Sequence, residues 1–366
     1  MAISVITSPN DYVGYDNLIW RLLLDSAGVD PIVKRLHYQL YDGGGTAITK
    51  AYGVAYTPNG AYINFGDLLK GFLSTPFHDG APSSVASDYS KEVYLRYWES
   101  SYNKDTGDYT ETGHTNSSTV TVLNGRGQYF NADPFANYPL VPVLLTRRPF
   151  NFSAARDQID HLYVLAGTTP VTITQTVYAA SGAPASAAPK VIPANTAQGV
   201  SLISKPWITP AIDDYYRLQY SISAGIFSEE INIYVKDSCE EGLDLYFLES
   251  LGGWSSFRFK KARPGVRRNL ILYRNPEAGI SSTKADNFET FSLETDLPIR
   301  DKDSQNFIRE MLAAQVHYLK VETSNGSWYQ KFILDDSEFT LSSETGMVSI
   351  RVKGRLSTNY ETLPQE

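Results

Sequence analysis

The sequence predicts an all-β chain: several β-sandwich or small-barrel domains, with one short helix in the C-terminal unit. Three observations carry that expectation. Apolar residues alternate with period two in many short runs. Gly, Pro and Asn-Gly interrupt those runs about every ten residues, the spacing of small antiparallel sheets. Aromatics dominate the apolar inventory, with 25 tyrosines in 366 residues, and tyrosine suits a half-buried sheet surface because its ring buries area while its hydroxyl stays wet. No fixed-period repeat recurs, which disfavours a propeller or solenoid. The length suits two to four domains, and the runs divide it into four segments.

The first segment, 1–85, contains RLHYQLYD, where Leu36, Tyr38 and Leu40 share one face and His37, Gln39 and Tyr41 the other. Gly43, Gly44 and Gly45 follow Asp42 as turn residues, and 47–56 returns as a partner strand. Leu68, Leu69, Phe72 and Leu73 fall at roughly helical spacing, so this stretch reads as a short helix or a strand end.

The second segment, 86–165, centres on EVYLRYWESSY. Val93, Leu95 and Tyr97 oppose Tyr94, Arg96 and Trp98, so both faces should be covered, by a second sheet or a neighbouring chain. NKDTGDYTETG is a hairpin tip and STVTVLNG its return. Pro139 and Pro142 confine FANYPLVPVLLT to a sheet edge or an extended arm. HLYVLAG follows as a further strand.

The third segment, 166–238, holds the strand TPVTITQTVYAA, an Ala/Pro-rich loop or linker at 179–197, and a hairpin of DYYRLQYSI with EEINIYVKD about Gly225.

The fourth segment, 239–366, opens on an aromatic corner. Strands at Leu243–Leu248 and 255–259 are joined by a tight turn at Gly252 and Gly253, and Tyr246, Phe247, Trp254, Phe257 and Phe259 crowd both arms. A run from 257 to 274 then collects Arg258, Lys260, Lys261, Arg263, Arg267, Arg268 and Arg274 without one carboxylate. Capped by Asp301 or Asp303, a helix places Phe307, Ile308, Met311 and Leu312 on one face. HYLKVET, WYQKFILD, EFTLSS and VSIRVKGRL read as four strands, with turns at Asn325-Gly326 and at Glu344, Thr345 and Gly346.

Composition excludes several function classes. A formal charge of −8 argues against nucleic acid, whose phosphates need a basic face. One cysteine, Cys239, allows no internal disulfide framework and reads as a buried structural thiol. MAISVITSPND has no basic n-region, and Arg21 breaks the apolar run at 18–24, so neither a signal peptide nor a membrane span is expected.

Candidate chemistry is sparse. His37, His78, His114, His161 and His317 are far apart and none has metal-pair spacing, so no metal is expected. No GxSxG, HExxH, CxxC or Walker loop occurs, and the glycine run at 43–45 lacks the Lys-Ser/Thr that a phosphate loop needs. The acid doublets at 213–214, 229–230, 240–241 and 335–336 each sit beside a turn or a strand end, and neighbours on a strand point to opposite faces, so none reads as a glycosidase pair. The loop 103–108 lacks the final acid of a calcium site. Trp98, Trp207, Trp254 and Trp328 could stack on sugars, but nothing gathers two of them on one surface. No enzyme activity and no cofactor are therefore expected. The basic run is the one charge anomaly, and it reads equally as a solvated hairpin or as a contact to an acidic surface.

The order of motifs resembles structural proteins of tailed phages of Bacteroidota. TSPNDYVGYDNLIW, RLHYQLYD and INFGDLLKGFL are similar to their start. VTVLNGRGQYF followed by VPVLLTRRP is similar to their centre, and CEEGLDLYFLESLGGWSSFRF resembles their "C…Y.L.FLN.LGGW..F.F" segment. DKDSQNFIREMLAAQ leading into VHYLKVET also follows their order. The resemblance implies a virion protein made in the host cytoplasm, a distal tail or baseplate ring subunit whose partners are copies of itself and other tail proteins. A neck or head-to-tail junction ring, or a carbohydrate-binding receptor-binding protein with a host-surface glycan as partner, are the alternatives. On this reading Trp254, Arg258, Lys260, Lys261, Arg263, Arg267 and Arg268 form the expected interface.

Overall fold

Period-two alternation gives each strand one apolar face, and pairs of sheets must bury those faces against each other. The computed structural model describes residues 3–75, 77, 83–85, 88–126, 133–146, 148–149, 151–155, 158, 161–179, 181–184, 190–193, 201–206, 215–236, 242–275, 279–297, 302–323, 326–341 and 348–357. Over these residues the chain is a multi-domain β-protein built from five sheets. The described α-helices are Gly66–Lys70 and Lys302–Ala313.

In the first unit, strands Ile3–Thr7, Ile19–Leu24 and Ala61–Asn64 form a three-stranded sheet. A seven-stranded sheet shares one core with it, where Trp20, Leu22, Leu40, Ile63, Val93 and Leu95 are buried. The stretch read as helix or strand end is the helix Gly66–Lys70, which drops Leu69 into this core and leaves Leu68 and Phe72 exposed. The expected boundary between 85 and 86 is corrected. Strand Ser90–Asn103 pairs along the whole of Ile32–Asp42, from Ile32 opposite Asn103 to Asp42 opposite Val93. Local patterning finds both strands but not a partner fifty residues away.

The expected boundary between 165 and 166 also fails, because it cuts strand His161–Ala166. That strand belongs to a four-stranded sheet with Val143–Leu144, Ser201–Pro206 and Ser83–Val85. The sheet packs on five strands in the order Asn151–Ala155, Phe227–Lys236, Tyr215–Ala224, Thr172–Ala179 and Lys190–Pro193. Val164, Ile173, Leu218, Ile222 and Ile233 fill the shared core. Part of the Ala/Pro-rich loop is therefore a strand: Lys190–Pro193 pairs with Thr172 to Gln175. It is the last strand of that sheet among the described residues, where Pro193 is tolerated.

The C-terminal sheet runs Trp254–Phe259, Leu243–Leu248, His317–Thr323, Gly326–Leu341, Val348–Leu356, Gly279–Leu297, Lys261–Asn275. Its two edge strands are consecutive in sequence, with Lys260 alone between them, so the sheet curls until its edges meet as in a small barrel. Phe307, Ile308 and Met311 of the helix Lys302–Ala313 pack on Leu245, Phe247, Leu319 and Ile350. Asp303 lies inside that helix and cannot cap it, while Asp301 lies outside the described residues. WYQKFILD and EFTLSS prove to be one strand, because a bulge between Leu334 and Asp336 absorbs the turn-like acids. Cys239, Asn325, the 344–346 turn and the tail from 358 lie outside the described residues.

Candidate assembly interface

The aromatic corner forms as its sequence predicts. Leu243–Leu248 pairs antiparallel with Trp254–Phe259, and Gly252 takes a φ of 85°. A Cβ on Gly252 would lie 1.8 Å from the Asn124 carbonyl oxygen, and one on Gly253 would lie 2.0 Å from that of Leu145. Only glycine lets the turn wedge between these two backbones. Trp254 is 5% exposed, and its indole N–H donates to the Thr75 carbonyl at 2.8 Å. Phe77 contacts Trp254, Tyr246 and Tyr329 at centroid distances of 5.4, 5.3 and 4.7 Å, and Tyr318 lies 5.7 Å from Trp254. Tyr89, Tyr138 and Tyr163 complete a buried cluster drawn from every unit of the chain. Trp254 is thus corrected from a surface contact to an internal one: it joins the units rather than meeting a neighbour.

Polar groups lock the same junction. Tyr89 donates its hydroxyl to the Leu251 carbonyl at 3.0 Å. The buried Glu249 carboxylate accepts from the hydroxyls of Thr146, at 2.6 Å, and Ser255. Arg148 donates to the Ser256 carbonyl at 3.0 Å and stacks on Phe307. Beside the turn a cleft of about 210 Å³ is rimmed by Tyr15, Lys70, Arg126 and Arg309. At its edge Glu310 accepts from the Ser250 hydroxyl at 2.8 Å and the Ser250 N–H at 3.2 Å. The carboxylates at this junction are thus engaged in holding elements together.

The basic run divides on the structure. Arg258 grips Asp244, with one contact at 2.7 Å, and both side chains are largely buried. Lys260, Lys261 and Arg263 are exposed where the edge strand Lys261–Asn275 begins. Arg351, hydrogen-bonded to Glu294 at 3.0 Å, holds that carboxyl below its ordinary range, and Lys261 and Arg263 add to the effect. Arg267 and Arg268 lie further along this strand, and their side chains are outside the described residues.

The sequence reads the basic run as a hairpin or an acidic-surface contact, but not the extent to which this edge strand and its partner Gly279–Leu297 run on together. Gly279–Leu297 pairs with the rest of the sheet only from Thr290 to Leu297. Beyond that point, among the described residues, 279–289 pairs only with 266–275. The two strands therefore continue past the sheet as a two-stranded ribbon roughly 33 Å long at the usual rise per residue. Val266, at its base, is 76% exposed. The signal was present in Asn275, Pro276 and Gly279, turn residues between two alternating runs.

The remaining candidates resolve as follows. His317 is buried with Nε2 at 2.7 Å from the Met311 carbonyl, and burial pushes its pKa down. His37 contacts the Ser100 hydroxyl at 2.7 Å and stacks on Trp98, which His114 covers from another side; burial lowers the His37 pKa too. His78 and the side chain of His161 are outside the described residues. Among the described residues no three His, Cys, Asp or Glu groups gather around a metal-sized space. Trp98 and Trp254 are buried and offer no sugar platform, while Trp207 and the side chain of Trp328 are outside the described residues.

No protein-family model matches the chain, and none of the curated proteins matches it. Among solved structures it is similar, at 9% identity and a TM-score of 0.17, to the N-terminal eight immunoglobulin domains of Down Syndrome Cell Adhesion Molecule isoform 1.30.30. That alignment covers 98% of this chain and 60% of the other, so the chain spans less than two thirds of the structure's length, and a superposition this loose carries no argument.

Proposed function

We propose that the chain is a structural subunit of a tailed-phage particle, a distal tail or baseplate ring protein that acts by self-assembly and by docking other tail proteins. The observation that carries this reading is the ribbon at 266–275 and 279–289. A lone two-stranded ribbon is marginally stable in water, so one that runs roughly 33 Å past its sheet calls for a neighbour to cover it. The buried carboxylates and aromatics at the junction act as structural ties, which favours assembly over hydrolysis. The buried tryptophans weigh against the receptor-binding alternative. A neck ring would use the same assembly chemistry and differ only in location.

The test is the assembly state of the purified chain. Sedimentation velocity over a concentration series, with negative-stain imaging, should show a closed ring of identical copies. A folded chain that stays monomeric at every concentration, alone and with the other tail proteins, would overturn the reading. Labelled copies imaged in the particle would separate tail tip from neck.

A further inference from the structure

We infer that the cleft beside the corner turn is an anion site, and that the anion it takes is a carboxylate on a small apolar body. Three cations, Lys70, Arg126 and Arg309, line this space of about 210 Å³ between the first unit and the C-terminal one. Among the described residues none of the three makes an ion pair. Lys70 meets two neutral groups, the Gln315 amide oxygen and, at 5.3 Å, the face of the Tyr15 ring. Arg126 donates from Nε to the Tyr15 hydroxyl at 3.2 Å, and Asp16 and Glu310 act on it only through space. The two carboxylates that line the cleft are committed elsewhere, Glu249 to the Thr146 and Ser255 hydroxyls and Glu310 to Ser250.

A second observation points the same way. Tyr15 is 7% exposed, and its hydroxyl oxygen accepts from Arg126. Among the described residues the proton of that hydroxyl has no acceptor, and a buried hydroxyl ordinarily finds one. The wall of the cleft thus sets an O–H donor beside guanidinium and ammonium donors, a set that an acceptor-only group completes. Charge selects which. Counted formally, the three cations against Glu249 and Glu310 leave the lining at +1, in a chain whose formal charge is −8. One carboxylate neutralises that lining, and a doubly charged phosphate overfills it. The helix Lys302–Ala313 turns its C-terminal end to the cleft, and the partial charge there, about −0.5, opposes phosphate further. Leu248, Ala313, Ala314 and Val316 add apolar surface for the methylenes that a carboxylate carries. The site stands whether or not the chain forms a ring.

Isothermal titration calorimetry of the full chain supplies the test, with butyrate as the probe, butyramide as its neutral isostere and inorganic phosphate as the competing anion. Butyrate should saturate one site per chain, butyramide should give no saturable heat, and phosphate should bind more weakly. Arg126→Gln and Arg309→Gln should each weaken butyrate roughly tenfold, the loss of one charge-assisted hydrogen bond. Lys50→Gln, which removes an exposed cation outside the cleft, should leave it unchanged. Far-UV circular dichroism first establishes that the variants keep the wild-type fold. Arg309 is exposed and bonds no described residue, so its variant keeps the test open if Arg126→Gln misfolds. A capped Ala-Glu-Ala peptide is titrated alongside. Tighter binding than butyrate marks the source as an acidic side chain of another protein, weaker binding marks it as a free acid, and either supports the site. No saturable binding of butyrate or peptide, or binding unchanged in every folded arginine variant, would overturn the site. Phosphate bound more tightly than butyrate would overturn the carboxylate assignment.

Discussion

Replacing Trp254 by Ala tests whether the corner is the tie between units. The ring is 5% exposed, packs against Phe77 and Tyr318, and donates to the Thr75 carbonyl at 2.8 Å. Truncating a buried tryptophan costs about 3–5 kcal/mol through lost transfer energy and the cavity left behind. The buried carbonyl that loses its donor adds about 1–3 kcal/mol. The expected loss is therefore about 4–8 kcal/mol, a large part of the ~5–15 kcal/mol available to a typical domain. Trp254→Phe keeps most of the buried ring and loses the N–H, so it should cost about 1–3 kcal/mol. Guanidinium denaturation followed by circular dichroism measures both. Because the cluster joins every unit, Trp254→Ala should also split one transition into two or more. A Trp254→Ala protein within about 1 kcal/mol of wild type, with a single transition, would refute the reasoning.

Three further perturbations test other parts of the account. Asp244→Asn removes the carboxylate that the largely buried Arg258 grips and should destabilise by about 3–5 kcal/mol, read as a lower denaturation midpoint. Gly354→Ala puts a Cβ 2.3 Å from the Phe332 ring and 2.4 Å from the Ile333 carbonyl oxygen, both beside the Leu334 bulge, and should cost about 1–3 kcal/mol in the same assay. The third concerns pH. Burial lowers the folded-state pKa of His317 below its ordinary 6.5, so the unfolded chain takes up the proton first. The stability that the neutral ring contributes is whole above pH 6.5 and is lost as pH falls from there through the lowered folded-state pKa. His317→Gln, which can still donate to the Met311 carbonyl, should flatten that part of a melting-temperature profile, and an unchanged slope would refute the assignment.

Local chemistry made much of this chain legible in advance. The hairpin about Gly225, the strand pair at the corner and the apolar face of the C-terminal helix follow from residue spacing and turn chemistry, and all stand where the sequence places them. The corner's Gly252 was readable as a turn, but the reason it must be glycine, the Asn124 backbone pressing on it, lies 128 residues away. WYQKFILD and EFTLSS read as two strands parted at the acids 335 and 336 because a bulge and a strand end draw on the same residues, and only pairing with Val348–Leu356 tells them apart.

By itself the sequence determined the class of object: an aromatic-rich β-chain of small antiparallel sheets, acidic overall, with one basic run free of carboxylates. Period-two alternation and turn residues act over a few positions, so they can be read without knowing what lies across the sheet. Tertiary structure alone decided which strands pair at long range, that Trp254 faces inward, that the sheet edges meet around Lys260, and that Lys261–Asn275 runs on with Gly279–Leu297 as a two-stranded ribbon beyond the sheet. Those outcomes depend on which apolar faces find each other once the chain has collapsed. Burial is a property of the pair of surfaces, and no single run of residues records it.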